Sequence, residues 1–186
     1  MDGHSGLIDE LAADHQRMQR LFDRIRAAPR DGDGRKALLE QLSTAMARHS
    51  VVTREHLFPV VRRYVLDGDD WADRDLDRQG RIAETLRALE DLEAGEERFG
   101  TLLLSLIEQV TDHVVEEEQL LFPRLRAMCP ADVLDGLGPK ARETRPLAPT
   151  RPRPAAPRSA TGTKLMARVA GPWDRLRDRI TGRGRP

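Results

Sequence analysis

The sequence predicts an all-α fold: an up-down-up-down four-helix bundle, followed by a short fifth helix and a Pro-rich, basic C-terminal tail. Three observations predict it. Apolar residues recur at steps of three and four through residues 1–127, the period of helices that bury one face. No six-residue stretch keeps the Val/Ile/Thr alternation of a half-buried strand. One sequence word also occurs twice, as His49-Ser-Val-Val-Thr-Arg-Glu-His-Leu-Phe-Pro59 and His113-Val-Val-Glu-Glu-Glu-Gln-Leu-Leu-Phe-Pro123. Each copy sets a histidine on a helix that reaches a proline near its end, so two helices can carry matching inward histidines at one height.

Each element follows from its own spacing. Roughly over 5–28, Ile8, Leu11, His15, Met18, Phe22 and Ile25 form one stripe, which puts His15 at a core position and ends near Pro29. The second helix, roughly 35–65, aligns Leu38, Leu42, Ala45, His49, Val52 or Thr53, His56 and Val60, with Pro59 expected to bend or end its last turn. Asp67-Gly-Asp-Asp70 breaks the pattern. The third helix, roughly 71–94, runs Leu76, Gln79, Ile82 or Ala83, Leu86 and Leu89 to a stop at Gly95. The fourth, roughly 96–127, runs Phe99, Leu103, Leu106, Val110, His113, Glu117 and Leu120 or Leu121. Short turns between these helices make consecutive ones antiparallel. Pro130 suits the first turn of an accessory fifth helix, roughly 130–144.

Charge separates the bundle from the C-terminal end of the chain. Residues 1–139 carry 18 Lys and Arg against 28 Asp and Glu, a net of −10, whereas residues 140–186 carry 13 against 3, a net of +10. The expected organisation is therefore a bundle with its accessory helix over 1–145, a Pro-rich linker over 146–163 and a basic amphipathic helix or tail over 164–186. That last segment stripes Leu165, Val169, Trp173, Leu176 and Ile180 among basic residues, so the expectation is either an extension that docks at times on its own acidic bundle or one that contacts an anionic membrane or an acidic partner. Nucleic acid ranks below both, since Trp173 alone offers a stacking surface there. The single Cys129 forbids an internal disulfide, and no N-terminal apolar run of signal or membrane length occurs, which makes a cytoplasmic location the expectation.

The chemistry lies in polar residues placed on apolar stripes. A buried histidine costs free energy unless both ring nitrogens find partners. Here His15, His49 and His113 occupy core positions on three helices, and Glu117 shares a face with His113 four residues earlier. Imidazole and carboxylate converging between helices suit iron, zinc or manganese. His56, about 10 Å beyond His49 by helical rise, is too far to join the same shell.

These residues carry a resemblance. Leu7-Ile-Asp-Glu-Leu-Ala-Ala-Asp-His15, the two His-to-Phe-Pro words and the four-helix spacing over about residues 5–127 resemble the hemerythrin HHE cation-binding family. The resemblance implies a bundle holding non-haem iron for reversible oxygen binding, oxygen or redox sensing, or iron handling, with O2 or NO as small-molecule partners. It implies His15, His49, His113 and Glu117 as iron ligands, with Glu118 as a fallback for the last. Two matches fail. The family's second-helix carboxylate falls on Thr53, and its third-helix histidine falls on Gln79, whose companion one turn later is Ala83. The expectation is an incomplete di-iron site holding one or two iron ions, or none.

The alternative is a metal-free scaffold or interaction bundle in which Thr53 and Gln79 hydrogen-bond the leftover histidines and the basic tail finds an anionic partner. An enzyme is not expected. No nucleophile has an adjacent base, no glycine loop could cradle a phosphate, and Cys129 has no histidine near it in sequence.

Overall fold

A computed structural model describes residues 6–30 and 33–150. Most of the expected Pro-rich linker and all of the basic segment over 164–186 lie outside the described residues. The described chain is helical throughout: α1 (Leu7–Ala27), α2 (Asp33–Val52), α3 (Phe58–Tyr64), α4 (Gly68–Glu90), α5 (Glu97–Val115), α6 (Phe122–Met128) and α7 (Ala131–Thr144). A π-helical turn, Thr53–Leu57, joins α2 to α3, and another, Glu116–Leu121, joins α5 to α6. With each joined pair counted as one long helix, these are the four helices of the bundle, and α7 is the fifth.

Local chemistry sets the ends. The Gly6 N–H donates to the Asp9 carboxylate at 3.2 Å, closing the first turn of α1. At the other end Pro29 forces Ala28 into an extended conformation, with ψ of 146°, and stops the helix. Gly68 starts α4 where a Cβ would come within 2.2 Å of the Val61 carbonyl oxygen, so the close turn from α3 to α4 requires glycine.

The two Phe-Pro pairs do something other than end their helices. Pro59 and Pro123 have no N–H to give to the carbonyls four residues back, and the ring crowds those carbonyls. In both copies the preceding residue takes a longer bond: the Phe58 N–H donates to the Thr53 carbonyl and the Phe122 N–H to the Glu117 carbonyl, each five residues back. The helix widens by one residue and then continues for a further turn or two. Of the two outcomes expected at Pro59, a bend or an end, the end does not occur: the π turn absorbs the proline upstream and helix continues to Tyr64. Both widened turns lie beside the polar core, and each contains the fourth residue after its histidine, Thr53 or Glu117.

That polar core is a layer between two apolar ones. Toward one end of the bundle Leu11, Val52, Val61, Trp71, Leu121 and Leu125 pack together, joined by Leu134 and Ala141 from α7. Toward the other end Met18, Met46, Ile82, Leu86, Leu106 and Val110 do the same. On each long helix a buried polar residue falls between the two sets: His15 between Leu11 and Met18, His49 between Met46 and Val52, Gln79 between Leu76 and Ile82, and His113 with Glu117 between Val110 and Leu121. After α7 the chain stays on the bundle, where Ala148 and Thr150 are buried and the Thr44 hydroxyl donates to the Thr150 carbonyl at 3.2 Å. No helix among the described residues is long and apolar enough to cross a membrane.

Candidate metal centre

Four long helices contribute to the polar layer, and three of them bring His15, His49, His113 and Glu117 together. One donor atom from each of these four residues lies within 4.8 Å of the other three, and all four residues are buried. The ring nitrogens facing inward are the Nε2 atoms. His49 Nε2 is 3.0 Å from His113 Nε2. Glu117 Oε2 lies 3.1 Å from His15 Nε2 and 3.7 Å from His49 Nε2, and Glu117 Oε1 lies 3.9 Å from His113 Nε2.

The outward nitrogens explain this orientation. Each Nδ1 faces a carboxylate of its own: Glu118 at 2.8 Å for His15, Asp75 at 2.8 Å for His113, and Asp14 at 3.7 Å for His49. A carboxylate at Nδ1 favours the tautomer with its proton there, leaving the Nε2 lone pair free. With the proton of the His49–His113 contact displaced, three lone pairs and an anionic carboxylate converge on one buried point. Neither oxygen of Glu117 accepts a hydrogen bond, and His15 Nε2 has no hydrogen-bond partner either. Orphaned buried acceptors of this kind call for a cation. The donor set of imidazole nitrogens and one carboxylate suits a divalent transition ion, so the residues present fit a metal.

A proton fills part of that role when no metal is bound. Burial works against a charge on His113, but Asp75 and Glu117 outweigh it and push its pKa up to about 9. Burial likewise opposes ionisation of Glu117, yet His113 and the other two histidines hold its carboxyl down to about 2. Burial lowers the pKa of His49, with Asp14 and Glu117 opposing. The metal-free cluster is thus an imidazolium at His113 between two carboxylates.

The other half of the layer is closed. The Gln79 amide donates to Thr53 Oγ1 and to Asp75 Oδ2, both at 2.9 Å, and its carbonyl accepts from Arg54 Nε at 3.2 Å. Thr53 passes its own proton to the Ser50 carbonyl at 3.1 Å. Arg54 is itself buried, and Asp75 supplies the opposing charge. No buried side-chain polar atom of Thr53, Gln79 or Asp75 is left without a partner.

The sequence expectations are sorted by this geometry. His15, His49, His113 and Glu117 come together. Glu118 does not join them: its half-exposed carboxylate, within the π turn, sits behind His15 on Nδ1 at 2.8 Å. Thr53 and Gln79 bond each other and Asp75, not the histidines, which corrects that part of the scaffold expectation. His56 is buried but stands apart, its Nε2 2.8 Å from the Thr144 hydroxyl of α7. Sequence reasoning missed Asp14, Arg54 and Asp75. Two of them carried a signal: Asp75 is four residues before Gln79, and Asp14 completes the stripe Leu7, Leu11, Met18, Leu21 and Ile25.

A helical bundle with such a cluster between its helices belongs to the class that can hold a metal ion in its core. The chain belongs to the hemerythrin family: residues 6–125 match the hemerythrin HHE cation binding domain. It is 26% identical over 173 residues to an uncharacterized hemerythrin-like protein of Schizosaccharomyces pombe, covering 92% of this chain and 85% of that protein. Its fold is similar to the crystal structure of a hemerythrin HHE cation binding domain-containing protein from Mycobacterium kansasii. The TM-score is 0.65 at 19% identity, over 75% of this chain and 87% of the other.

Proposed function

We propose that the protein binds a single transition-metal cation, iron by its family, through His15 Nε2, His49 Nε2, His113 Nε2 and the Glu117 carboxylate. The observation that carries the reading is the orientation of the cluster: three Nε2 atoms and one carboxylate face a common point, and each Nδ1 faces a separate carboxylate. Holding one ion and not two is supported by the closed half of the layer. Thr53 and Gln79 offer no anionic donor, their polar atoms are committed to one another and to Asp75, and the guanidinium of Arg54 brings a fixed positive charge beside them.

Bound iron would supply an electron-pair acceptor and a one-electron couple, the chemistry that oxygen or nitric oxide sensing, redox buffering and iron storage share. The protein's part is to hold the ion and keep it from bulk water, since all four ligand residues are buried. The role is one of binding and not of enzymatic turnover. A second reading, a metal-free scaffold, is favoured by the proton at His113, which can satisfy the cluster without a metal.

Metal analysis of protein purified from iron-supplemented growth decides between them. About one iron per chain, lost on His15→Ala, is the expected result. Two tightly held irons would overturn the single-ion reading, and none under any loading condition would leave the scaffold.

A further inference from the structure

The family match ends at residue 125, yet the polar layer is also held from beyond it. Arg145 follows the last residue of α7 and lays its guanidinium over the outer face of α1. Its Nη1 donates to Glu10 Oε2 at 2.6 Å and its Nη2 to the Glu10 carbonyl at 2.8 Å. Its Nε and Nη2 both donate to Asp14 Oδ2, at 3.2 and 3.0 Å. That same oxygen faces His49 Nδ1 at 3.7 Å, close enough for charge to act though too long for a hydrogen bond, and His49 Nδ1 has no hydrogen-bond partner. A chain of charge therefore runs from the end of α7 through one carboxylate oxygen to a ring whose Nε2 looks into the cluster.

We propose that Arg145 is a positioning residue for the metal centre, fixing the Asp14 carboxylate behind His49 so that cation affinity depends on the docking of α7. The inference rests on the cation-binding reading of the cluster. The carboxylate behind a metal-binding imidazole sets its tautomer and aim, and losing such a partner typically weakens metal affinity about 10–100-fold. His15 and His113 have their carboxylates at hydrogen-bonding distance from residues within the matched domain, Glu118 and Asp75. His49 alone among the three depends on a carboxylate anchored from outside it. Asp14 is a short side chain on the rim of α1, and without the guanidinium its charge would turn toward water. Docking of α7 has other sources, in the buried Leu134 and Ala141 and in the Arg142–Glu10 ion pair. Because Arg142 ties α7 to α1 through Glu10, it serves as the control for docking alone.

Coupling of this kind is reciprocal: if docking tightens cation binding, the cation must tighten docking by the same factor. The test uses the full chain and Co2+ as the probe, read by the visible absorption of the bound ion and by titration. Wild type binds cobalt. Arg145→Met and Asp14→Asn each raise the Kd at least tenfold and shift the cobalt spectrum, Arg145→Lys recovers part of the affinity, and Arg142→Met, which loosens docking but leaves the Arg145–Asp14 contact, weakens binding far less and leaves the spectrum unshifted. The double variant Arg145→Met/Asp14→Asn binds no worse than Asp14→Asn, because both changes cut one chain. In wild type, cobalt slows amide hydrogen exchange across α7, a readout that needs no variant to fold. Unchanged Kd and spectrum in Arg145→Met, multiplying effects in the double variant, an Arg142→Met loss as large as that of Arg145→Met, or α7 exchange indifferent to cobalt would each overturn the coupling while leaving the cluster a metal site. A wild type that takes up no cobalt would overturn the cluster reading itself, and the coupling with it.

Discussion

The two halves of the polar layer start from the same sequence word and reach opposite electrostatic states. At the fourth residue after its histidine, one copy carries Glu117 and the other Thr53, each at a π-helical turn produced by a Phe-Pro pair. Glu117 ends with two buried oxygens that accept no hydrogen bond and three imidazoles around it. Thr53 ends in a network in which donors and acceptors match. The difference teaches how a bundle can keep one half of a polar layer open and close the other. An anion leaves a site that calls for a cation, whereas a hydroxyl pairs with an amide and needs nothing more.

The comparison breaks first if the open half does not respond to loss of a donor. His15→Ala removes one of the four proposed ligands and leaves Glu117 facing a void. The expected outcome is loss of bound metal, and with it loss of the metal-dependent rise in melting temperature expected of the wild type, whose underlying stabilisation is about 2.7 kcal/mol at a free-metal concentration 100 times the Kd. Parallel Thr53→Ala protein should keep its metal. Equal losses from both, seen by elemental analysis and thermal melting, would mean that the halves are not distinct.

A second measurement uses pH on the metal-free protein. The pKa of His113 is raised in the folded state to about 9 from an ordinary 6.5. The folded state therefore binds this proton more tightly than the unfolded state does. The resulting stabilisation is fully present below pH 6.5 and is lost as pH rises through about 9. Urea midpoints should fall between those limits by an amount worth a few kcal/mol, and saturating metal, which replaces the proton, should flatten the curve. His113→Gln, which cannot carry the charge, should remove the slope.

Much of this was legible in the sequence, for reasons that differ by residue. The helices and the inward places of His15, His49, His113 and Glu117 follow from spacing, because a helix repeats every 3.6 residues and the stripes are long. The π turns were not legible as such: a proline signals a missing N–H, but whether the helix ends or widens depends on packing beyond it. Asp14 and Asp75 were hidden by proximity, each lying next to a residue that fits the stripe, His15 or Leu76, so that a single-face reading had already filled the place. Arg54 and Arg145 could not be read at all. Their roles arise from groups 25 and more than 130 residues away, Gln79 for one, Asp14 and Glu10 for the other.

The comparison sharpens further if the closed half can be opened. Thr53→Glu with Gln79→His puts a carboxylate and an imidazole where the family pattern has them, and removes the amide that ties Asp75 down. Arg54 remains beside them, so the new donors face a positive charge before they face a metal. The expected iron content rises from about one toward two per chain, with the second ion weaker than the first. A content still at one would show that Arg54, and not the missing donors, keeps the second position empty, and adding Arg54→Leu would then release it.

The smallest effect is expected from Thr53→Val, which keeps the shape of the side chain and deletes only its hydroxyl. Gln79 then loses one of the two acceptors of its amide, and the Ser50 carbonyl loses the donor that supplements its helical bond. Burying one unmatched N–H costs about 1–3 kcal/mol, less whatever the Gln79 amide recovers by shifting toward Asp75. A melting-temperature drop of a few degrees with an unaltered metal Kd is the expected outcome. The metal result matters more than the stability result, because Asp75 is shared: its Oδ2 accepts from Gln79 and its Oδ1 sits on His113 Nδ1. If loosening Gln79 lets Asp75 turn, His113 loses its aim and metal affinity falls as well. A weaker Kd in Thr53→Val would therefore show that the closed half steadies the open one through Asp75, making the two halves one unit, while an unchanged Kd would show that Asp75 is held well enough by His113 alone.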